Sequence, residues 1–397
     1  MSNSSKRLSN RLLGSVFKEI PLSWSQLSHQ KTRLAVAMSG ISFANILIFM
    51  QLGFRATMFD GITNVADSLT GEVFLVNSQD KFIGNQSFSK DQLYRAASVD
   101  GVESADALYY SQTSWVNPWT ADLTDVTVIA FNPARSLMTL PEVNNNIAAI
   151  RQPDTILFDR KSLASLGDVG DAIDRGEQVR TDMGKRRVEV GGVFSLGSTL
   201  FKRGHVVTSD VNYLRLFGEA SGDEVQVGVI SLLPSADIEQ TLQQLEFILP
   251  NDISVLTRAE FIELEQSYWS KQPAGIIFNF GTVMGFIVGV IIVYQVLYSD
   301  VNDHLPEYAT LKAIGFSDGR LLMVVFQEAI ILGVLGFLPG FLCSTALYGV
   351  LGNLTRLAVV MRPDIAIQVF VLTIVMCLLS GAITVRKLQS ADPADVF

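Results

Sequence analysis

Residues that could carry acid–base or metal chemistry are few and scattered in this sequence. The histidines are His29, His205 and His304, and the cysteines, Cys343 and Cys377, both lie in apolar stretches. This separation does not predict a metal site, because zinc ligands of these types occur at short, characteristic spacings. The HExxH, CxxC and GxSxG patterns are also absent. We therefore expect no catalytic centre, no bound metal and no cofactor in this chain.

The sequence also lacks the GxxxxGK[ST] loop that cradles the phosphates of ATP. Hydrolysis of ATP by that route would require another polypeptide, which would hold the ATP and the Mg. Asp and Glu number 39 against 30 Lys and Arg, for a net charge of −9. The acidic balance is interpreted as a solvated surface. It does not suggest nucleic-acid binding, which favours clustered basic residues.

Four long apolar segments dominate the composition, which is 48% hydrophobic and 17% charged with a mean hydropathy of +0.32. Soluble domains carry about 25% charged residues, and about 20 apolar residues cross a bilayer. The segments are Leu34–Phe54, Ala274–Tyr298, Leu321–Tyr348 and Ile365–Val385. The first begins too far into the chain, and is too long, for a cleavable signal peptide. We expect four transmembrane helices.

The predicted fold class is an α-helical bundle of four transmembrane helices with a large α+β extracytoplasmic domain between helices 1 and 2. Alternating strand and helix patterns indicate the α+β class. The predicted strands are Glu72–Asn77, Val102–Tyr109, Val126–Phe131, Thr155–Phe158, a hairpin within Arg186–Leu196, His205–Ser209, Val225–Leu233 and Ile253–Thr257. The predicted helices are Lys90–Ala97, Arg160–Leu166 and Ser235–Phe247, with helical stalks at Arg55–Thr70 and Arg258–Gln272.

The positive-inside rule orients these segments. The first 33 residues hold six Lys and Arg against one acid, Glu19, which predicts a cytoplasmic N-terminus; Arg356 and Arg362 weigh mildly against it. Both termini are then cytoplasmic, and Arg55–Gln272, with 18 basic and 30 acidic residues, lies outside. The predicted organisation is 1–33 cytoplasmic basic amphipathic segment, 34–54 first span, 55–272 periplasmic domain, 273–298 second span, 299–320 cytoplasmic loop, 321–348 third span, 349–364 outer loop, 365–385 fourth span and 386–397 cytoplasmic tail.

Residues Arg11–Gln30 combine basic residues with an apolar stripe at helical spacing. That pattern suits a helix lying on the inner membrane surface, and it equally suits a helix packed on the membrane helices. The two interpretations are compatible.

Within the spans, Gly281, Gly285 and Gly289 recur every four residues and predict a face for close helix packing. Glu328 is an acid inside the third span, where a charge is costly and is a functional hypothesis by default. Its predicted role is an interhelical hydrogen bond near the 299–320 loop. The alternatives are that it is wetted at the interface or simply bonds a neighbouring helix.

The polar segment Val301–Phe316, VNDHLPEYATLKAIGF, connects the second and third spans. Pro306 and Glu307 suit the first turn of a helix, and Gly315 suits its end. Tyr308, Leu311 and Ala313–Ile314 give it a small apolar face beside Lys312. We expect a short helix along the membrane that docks on a cytoplasmic partner. An ordinary connecting loop is the less favoured interpretation.

The run EYATLKAIGF followed by EAIILGVLGFLPG resembles the FtsX-like permease domain. DHLPEYATLKAIGF, together with SQLSHQKTRLAVAMSGISFANILIFMQLGFR near the N-terminus, resembles the DevC subfamily. TILFDRKSLASLG and VEVGGVFSLGSTL are more loosely similar to the outer lobe of MacB-type permeases. With the order of four spans around one outer domain, the resemblance covers nearly the whole chain.

The resemblance implies a homodimeric ABC exporter permease in the bacterial inner membrane that works by mechanotransmission. It further implies a separate DevA-like ABC ATPase subunit, a DevB-like periplasmic membrane fusion protein, a TolC-like outer-membrane protein and, in cyanobacteria, glycolipid export. The ATPase-coupling helix then contains His304, Pro306, Glu307, Leu311, Lys312, Ala313 and Gly315. Many FtsX-type chains carry a basic residue where His304 stands, so that contact is expected to differ.

Alternative functions remain open at this point. One is extraction of a lipid or lipoprotein from the inner membrane. Another is FtsX-like signalling across the membrane to an envelope enzyme. A membrane-anchored enzyme is disfavoured by the missing motifs.

Overall fold

The computed structural model describes residues 31–199, 202–304, 318–355 and 359–389. The chain forms two compact units. The helical unit comprises the described parts of 1–55, 277–350 and 360–397, and the sheet unit comprises those of 56–276 and 351–359. The described α-helices are α1 Lys31–Ser68, α2 Asp91–Ala96, α3 Pro141–Asn145, α4 Val169–Asp174, α5 Asp210–Phe217, α6 Ile238–Ile248, α7 Arg258–Ser270, α8 Pro273–Asp303, α9 Asp318–Thr355 and α10 Pro363–Gln389.

Four of these helices, α1, α8, α9 and α10, are long and apolar enough to cross a membrane. With the α+β sheet unit inserted between α1 and α8, they confirm the fold class predicted from the sequence. α8 continues to Asp303 and α9 starts at Asp318, and α9 continues to Thr355 with Pro339 inside it.

The described strands of the sheet unit are β1 Val73–Asn77, β2 Phe88–Ser89, β3 Val102–Val116, β4 Leu123–Phe131, β5 Thr155–Asp159, β6 Arg180–Met183, β7 Arg186–Phe194, β8 His205–Ser209, β9 Glu224–Val225, β10 Val227–Leu232 and β11 Ile253–Thr257. The main sheet has the order β11-β1-β10-β3-β4-β8-β5-β7-β6. β2 and β9 pair separately.

This sheet contains two lobes that share the long strand β3. The first lobe, β1-α2-β3 followed by β10-α6-β11, is an antiparallel βαββαβ arrangement with the order β11-β1-β10-β3. The second lobe, residues 109–226, is inserted between β3 and β10. In it β3, β4, β8, β5, β7 and β6 follow one another, and β6 returns to β3 through the pair Trp115 and Met183.

Two hydrophobic cores hold the sheet unit together. In one, α2, α5 and α6 contribute Leu93, Tyr213 and Leu245. In the other, the end of α1 and the helix α7 contribute Val65 and Phe261. Burying these apolar stripes stabilises the unit at roughly 25 cal/mol for each Å² removed from water.

Two local predictions are wrong. Arg160–Leu166 is a turn with a short 3-10 helix at Ala164–Leu166, because the carboxylate of Asp159 accepts the amide of Lys161 and closes a turn. The predicted hairpin region Arg186–Leu196 holds one strand, β7, which forms a hairpin with the preceding strand β6 across Gly184 and Lys185. The remaining strand predictions are confirmed to within a few residues, except that β3 continues from Tyr109 to Val116.

Candidate functional site: the connection between α8 and α9

The last turns of α8 change from apolar to polar side chains. Asp300 and His304 lie one turn apart, and Nδ1 of His304 is 3.0 Å from the main-chain oxygen of Asp300 and 3.7 Å from its Oδ1. Both side chains are largely buried. The end of α8 is therefore fixed by its own side chains where the connection to α9 begins.

The other residues assigned to the coupling helix lie outside the described residues. These are Pro306, Glu307, Leu311, Lys312, Ala313 and Gly315. Their roles, and that of His304, stay predictions.

Glu328 lies in α9 and is 3% exposed. Val325, Ala329 and Leu332 on the same helix are also buried, so this face of α9 is turned to the interior of the helical unit. An acid at such a position is expensive in a membrane span. If Glu328 forms the predicted interhelical hydrogen bond, that bond therefore lies in the interior of the helical unit.

The glycine face of α8 lies against other helices of the unit. A Cβ built on Gly285 would be 3.1 Å from Cγ1 of Ile48 in α1. One on Gly281 would meet Gln51 of α1, and one on Gly289 would meet Met376 of α10 and Ala44 of α1. Small residues permit this close approach.

Neutral polar side chains bridge the same helices, which the sequence did not reveal. Thr373 of α10 donates to Oδ1 of Asn45 in α1 at 2.7 Å, and Ser42 of α1 donates to the carbonyl of Gly336 in α9 at 2.9 Å. Ser380 of α10 donates to the carbonyl of Val290 in α8 at 2.8 Å. Such bonds satisfy polar groups that lipid cannot. Ser, Thr and Asn inside apolar segments were the available signal, but their partners depend on the packing.

Comparisons with known proteins bear on this unit directly. Residues 279–393 match the family model described as FtsX-like permease C-terminal. Residues 279–393 form an FtsX-like permease domain. Glu328, His304 and the three glycines of α8 all lie within it.

The permease domain belongs to a chain that is similar over nearly its whole length to ABC transporter permeases. Two uncharacterized ABC transporter permeases of Mycobacterium tuberculosis, from strains CDC 1551 and H37Rv, are each 22% identical over 380 residues, covering 93% of this chain and 96% of the relative. With the family match, this confirms the recognition of an FtsX-type ABC transporter permease.

Two solved structures are similar to parts of this chain. The extracellular domain of the noncanonical ABC-type transporter YknZ from Gram-positive bacteria is 14% identical, with a TM-score of 0.32, over 47% of this chain and 99% of that chain. The periplasmic region of MacB from Actinobacillus actinomycetemcomitans is 10% identical, with a TM-score of 0.34, over 53% of this chain and 97% of that chain.

The helix α7, which precedes the permease domain in the sequence, is anchored at its first residue within the sheet unit. The guanidinium of Arg258 donates to the carbonyls of Ala66, Leu69 and Gly71. Thr257 and Glu260 form a capping box that holds down the pKa of Glu260 through the Thr257 main-chain and side-chain hydrogen bonds. The sequence predicted the helix but not this anchor.

One histidine, His205, is buried in the sheet unit beside a carboxylate. His205 and Asp159 are fully buried, with His205 Nδ1 3.5 Å from Asp159 Oδ2. Asp159 also accepts the amides of Leu196 and Gly197 at 3.1 and 2.9 Å, so it fixes the loop that follows β7. Among the described residues, no group of three or more His, Cys, Asp or Glu is placed to hold a metal ion.

The exposed ion pairs of the sheet unit are ordinary surface pairs. Arg215 bonds both oxygens of Asp154, at 2.9 and 2.6 Å, and this hydrogen bonding lowers the pKa of Asp154. Arg160 pairs with Asp174 in the same manner. Such exposed pairs contribute little to stability.

Proposed function

We propose that the chain is the permease subunit of a DevC-type ABC exporter, moved by an ATPase on a separate polypeptide that binds the connection 305–317. One observation carries the proposal. Two helices long enough to span a membrane, α8 and α9, are joined by this polar connection inside the FtsX-like permease domain.

The proposed mechanism is mechanotransmission. Closure of the ATPase on nucleotide pushes the connection, and α8 moves with it. Only Lys271 and Gln272 separate α8 from α7 in the sequence, so displacement of α8 has a short covalent route to the sheet unit. Movement of the sheet unit then drives the substrate into the adaptor.

The proposed orientation places both termini and the 305–317 connection in the cytoplasm of a bacterial inner membrane. The six Lys and Arg before the first span support it. The sheet unit is then periplasmic, and its acidic balance of 18 basic and 30 acidic residues suits a solvated domain.

A second copy of the chain is part of the proposal. α8 leaves a stripe of large apolar side chains exposed, at Phe280, Val283, Ile287 and Ile291. This stripe gives a surface for the homodimer that the DevC resemblance implies. A DevB-like adaptor, a TolC-like duct and a glycolipid substrate rest on that resemblance alone.

The experiment is co-purification of the chain with the ABC ATPase subunit encoded beside it, followed by measurement of ATP hydrolysis. Glu307→Arg and Gly315→Leu are expected to abolish both binding and stimulated hydrolysis, because they reverse a charge and extend a side chain at the proposed contact. Full binding and stimulation in both variants would refute the coupling assignment, as would hydrolysis by the purified chain alone.

Matched controls separate contact from general damage. Glu246→Arg makes the same charge reversal at an exposed position of α6. Gly349→Leu makes the same extension in α9, where a Cβ would meet nothing within 4 Å. Both are expected to bind and stimulate as the unsubstituted chain does.

A further inference from the structure

A charged pair is buried where α7 meets the second lobe of the sheet unit. Nζ of Lys202 lies 3.9 Å from Oε2 of Glu265, with their side chains 5% and 0% exposed. Lys202 comes from the segment between β7 and β8, and its ammonium lies 4.9 Å from the centroid of the Tyr110 ring in β3. Neither residue belongs to the permease domain, and neither is used in the coupling contact.

Glu265 is held from two further directions. Its Oε2 accepts the indole N–H of Trp269 at 2.8 Å, and its Oε1 accepts the main-chain amide of Ile83. Phe82, next to Ile83, packs on the rings of Tyr268 and Trp269 at 4.7 and 5.9 Å between centroids. One carboxylate of α7 therefore joins the loop after β1 and the segment after β7.

The electrostatics of this cluster favour the charged form of Lys202. Burial alone would lower the pKa of the Lys202 ammonium, but Tyr110 and Glu265 beside it offset burial and the net direction is upward. Breaking a buried pair by removing one partner is costly, whereas replacing both with neutral groups of similar size is often tolerated. Apart from their effect on stability, the two charges define one relative position of the segments that they join.

The segment that carries Lys202 also contacts α1. Nδ2 of Asn64 donates to the carbonyl of Leu196 at 3.0 Å, and Gly61 lies against Thr199. Two helices therefore hold the same segment, α1 through a neutral hydrogen bond and α7 through the ion pair.

We propose that Lys202 and Glu265 form a positioning pair that ties the second lobe to α7, so that displacement of α7 carries the second lobe with it. The inference rests on the proposed function, in which α8 passes movement to α7. It assigns the pair the role of passing that movement on within the sheet unit.

The test is pulsed electron paramagnetic resonance on the full chain with its ATPase subunit in nanodiscs. Spin labels are placed at Glu263→Cys in α7, or at Lys185→Cys in the second lobe, in a background of Cys343→Ser and Cys377→Ser; both labelled positions are exposed. Each label reports the distance between two copies, measured without nucleotide and with MgATP and vanadate.

In the chain with Lys202 and Glu265 unsubstituted, the distances between the two copies at position 263 and at position 185 are both expected to shift with nucleotide. In Lys202→Met/Glu265→Gln, the distance at position 263 still shifts and the shift at position 185 is lost. An unchanged shift at 185 in this double variant would overturn the inference alone. No shift at 263 with Lys202 and Glu265 present would overturn the proposed mechanotransmission, and this inference with it.

Two further variants separate positioning from folding. Lys202→Arg keeps the charge and is expected to retain the shift at 185. Arg160→Met breaks an exposed ion pair of the second lobe and is expected to retain it as well. Loss of the shift in Arg160→Met would mean that any weakening of the lobe suffices, and would refute a specific role for the pair.

Discussion

The helical unit and the sheet unit bury polar groups of different kinds. In the helical unit, hydrogen bonds such as that between Thr373 and Asn45 join neutral groups of two helices. In the sheet unit, buried charges join loops to helices, as Glu265 does with Lys202 and Ile83. Glu328, an acid buried in α9, departs from the pattern of the helical unit.

The two units differ in this way because their main-chain polar groups find hydrogen-bond partners by different means. A membrane helix has its main-chain groups satisfied internally, so neutral side chains and close glycine contacts are enough to hold helices together. The sheet unit has many loops whose amides need acceptors, and a carboxylate can accept several at once. Neutral contacts between helices are individually weak, whereas a buried charge is costly to leave alone.

The largest expected effect is therefore in the sheet unit. Lys202→Met leaves the carboxylate of Glu265 buried without its cation and should lower the free energy of unfolding by about 3–5 kcal/mol. Lys202→Met/Glu265→Gln should recover part of that loss, because the amide keeps one acceptor oxygen for the two N–H donors of Ile83 and Trp269. Denaturant titration of the full chain in detergent checks both, with Arg160→Met as the exposed control at about 0–1 kcal/mol. Equal losses in the single and double variants would contradict the pairing.

Asp80 gives the next effect, which depends on pH. Burial raises its pKa from 3.8 to about 7, with the charge of Glu265 adding to the rise. The folded chain therefore keeps a proton that the unfolded chain releases, and stability falls as pH rises from about 4 to about 7, by at most about 1.4 kcal/mol per pH unit. Asp80→Asn should flatten this dependence in melting curves between those pH values. An unchanged slope would show that Asp80 ionises freely.

A smaller effect is expected from crowding the helix contacts of the helical unit. A Cβ on Gly340 would lie 2.9 Å from Cβ of Asn45 and 3.2 Å from the carbonyl of Ser42, whereas one on Gly349 of the same helix would meet nothing within 4 Å. Gly340→Val should cost about 1–3 kcal/mol by overpacking. Gly349→Val should melt close to the unsubstituted chain, and similar losses for both would remove the argument from close approach.

The smallest effect is expected at a single neutral bridge. Thr373→Val removes the donor to Asn45 and should cost about 0.6 kcal/mol, the average for hydrogen bonds between membrane helices. Thr345→Val is the control, because the Thr345 hydroxyl bonds the carbonyl of Phe341 in its own helix and is exposed. A loss at Thr373 as large as that of Lys202→Met would erase the contrast between the two units.

The sequence predicted the elements better than the contacts between them. Hydropathy alone identified α1, α8, α9 and α10, because a run of about 20 apolar residues is the length that crosses a bilayer and is typical of a transmembrane helix. Alternation identified most strands but ended β3 at Tyr109, where Tyr109 and Tyr110 are both buried and the alternation stops.

The long-range partners could not be predicted, because they depend on tertiary packing. Lys202 and Glu265 are 63 positions apart in the sequence, and neither stands in a recognisable motif. Arg258 and Asp159 act through main-chain carbonyls and amides, which any sequence offers everywhere. The glycine spacing in α8 predicted a packing face but could not say that α1 and α10 lie against it.

The central claim is that a separate ATPase acts on the connection between α8 and α9. Its most direct test is the rate at which a membrane-impermeant maleimide labels Thr310→Cys in the background of Cys343→Ser and Cys377→Ser. The account predicts no labelling in intact cells, labelling in inside-out vesicles, and slower labelling once the ATPase subunit is bound there. Labelling in intact cells, or a vesicle rate unchanged by bound ATPase, would contradict it.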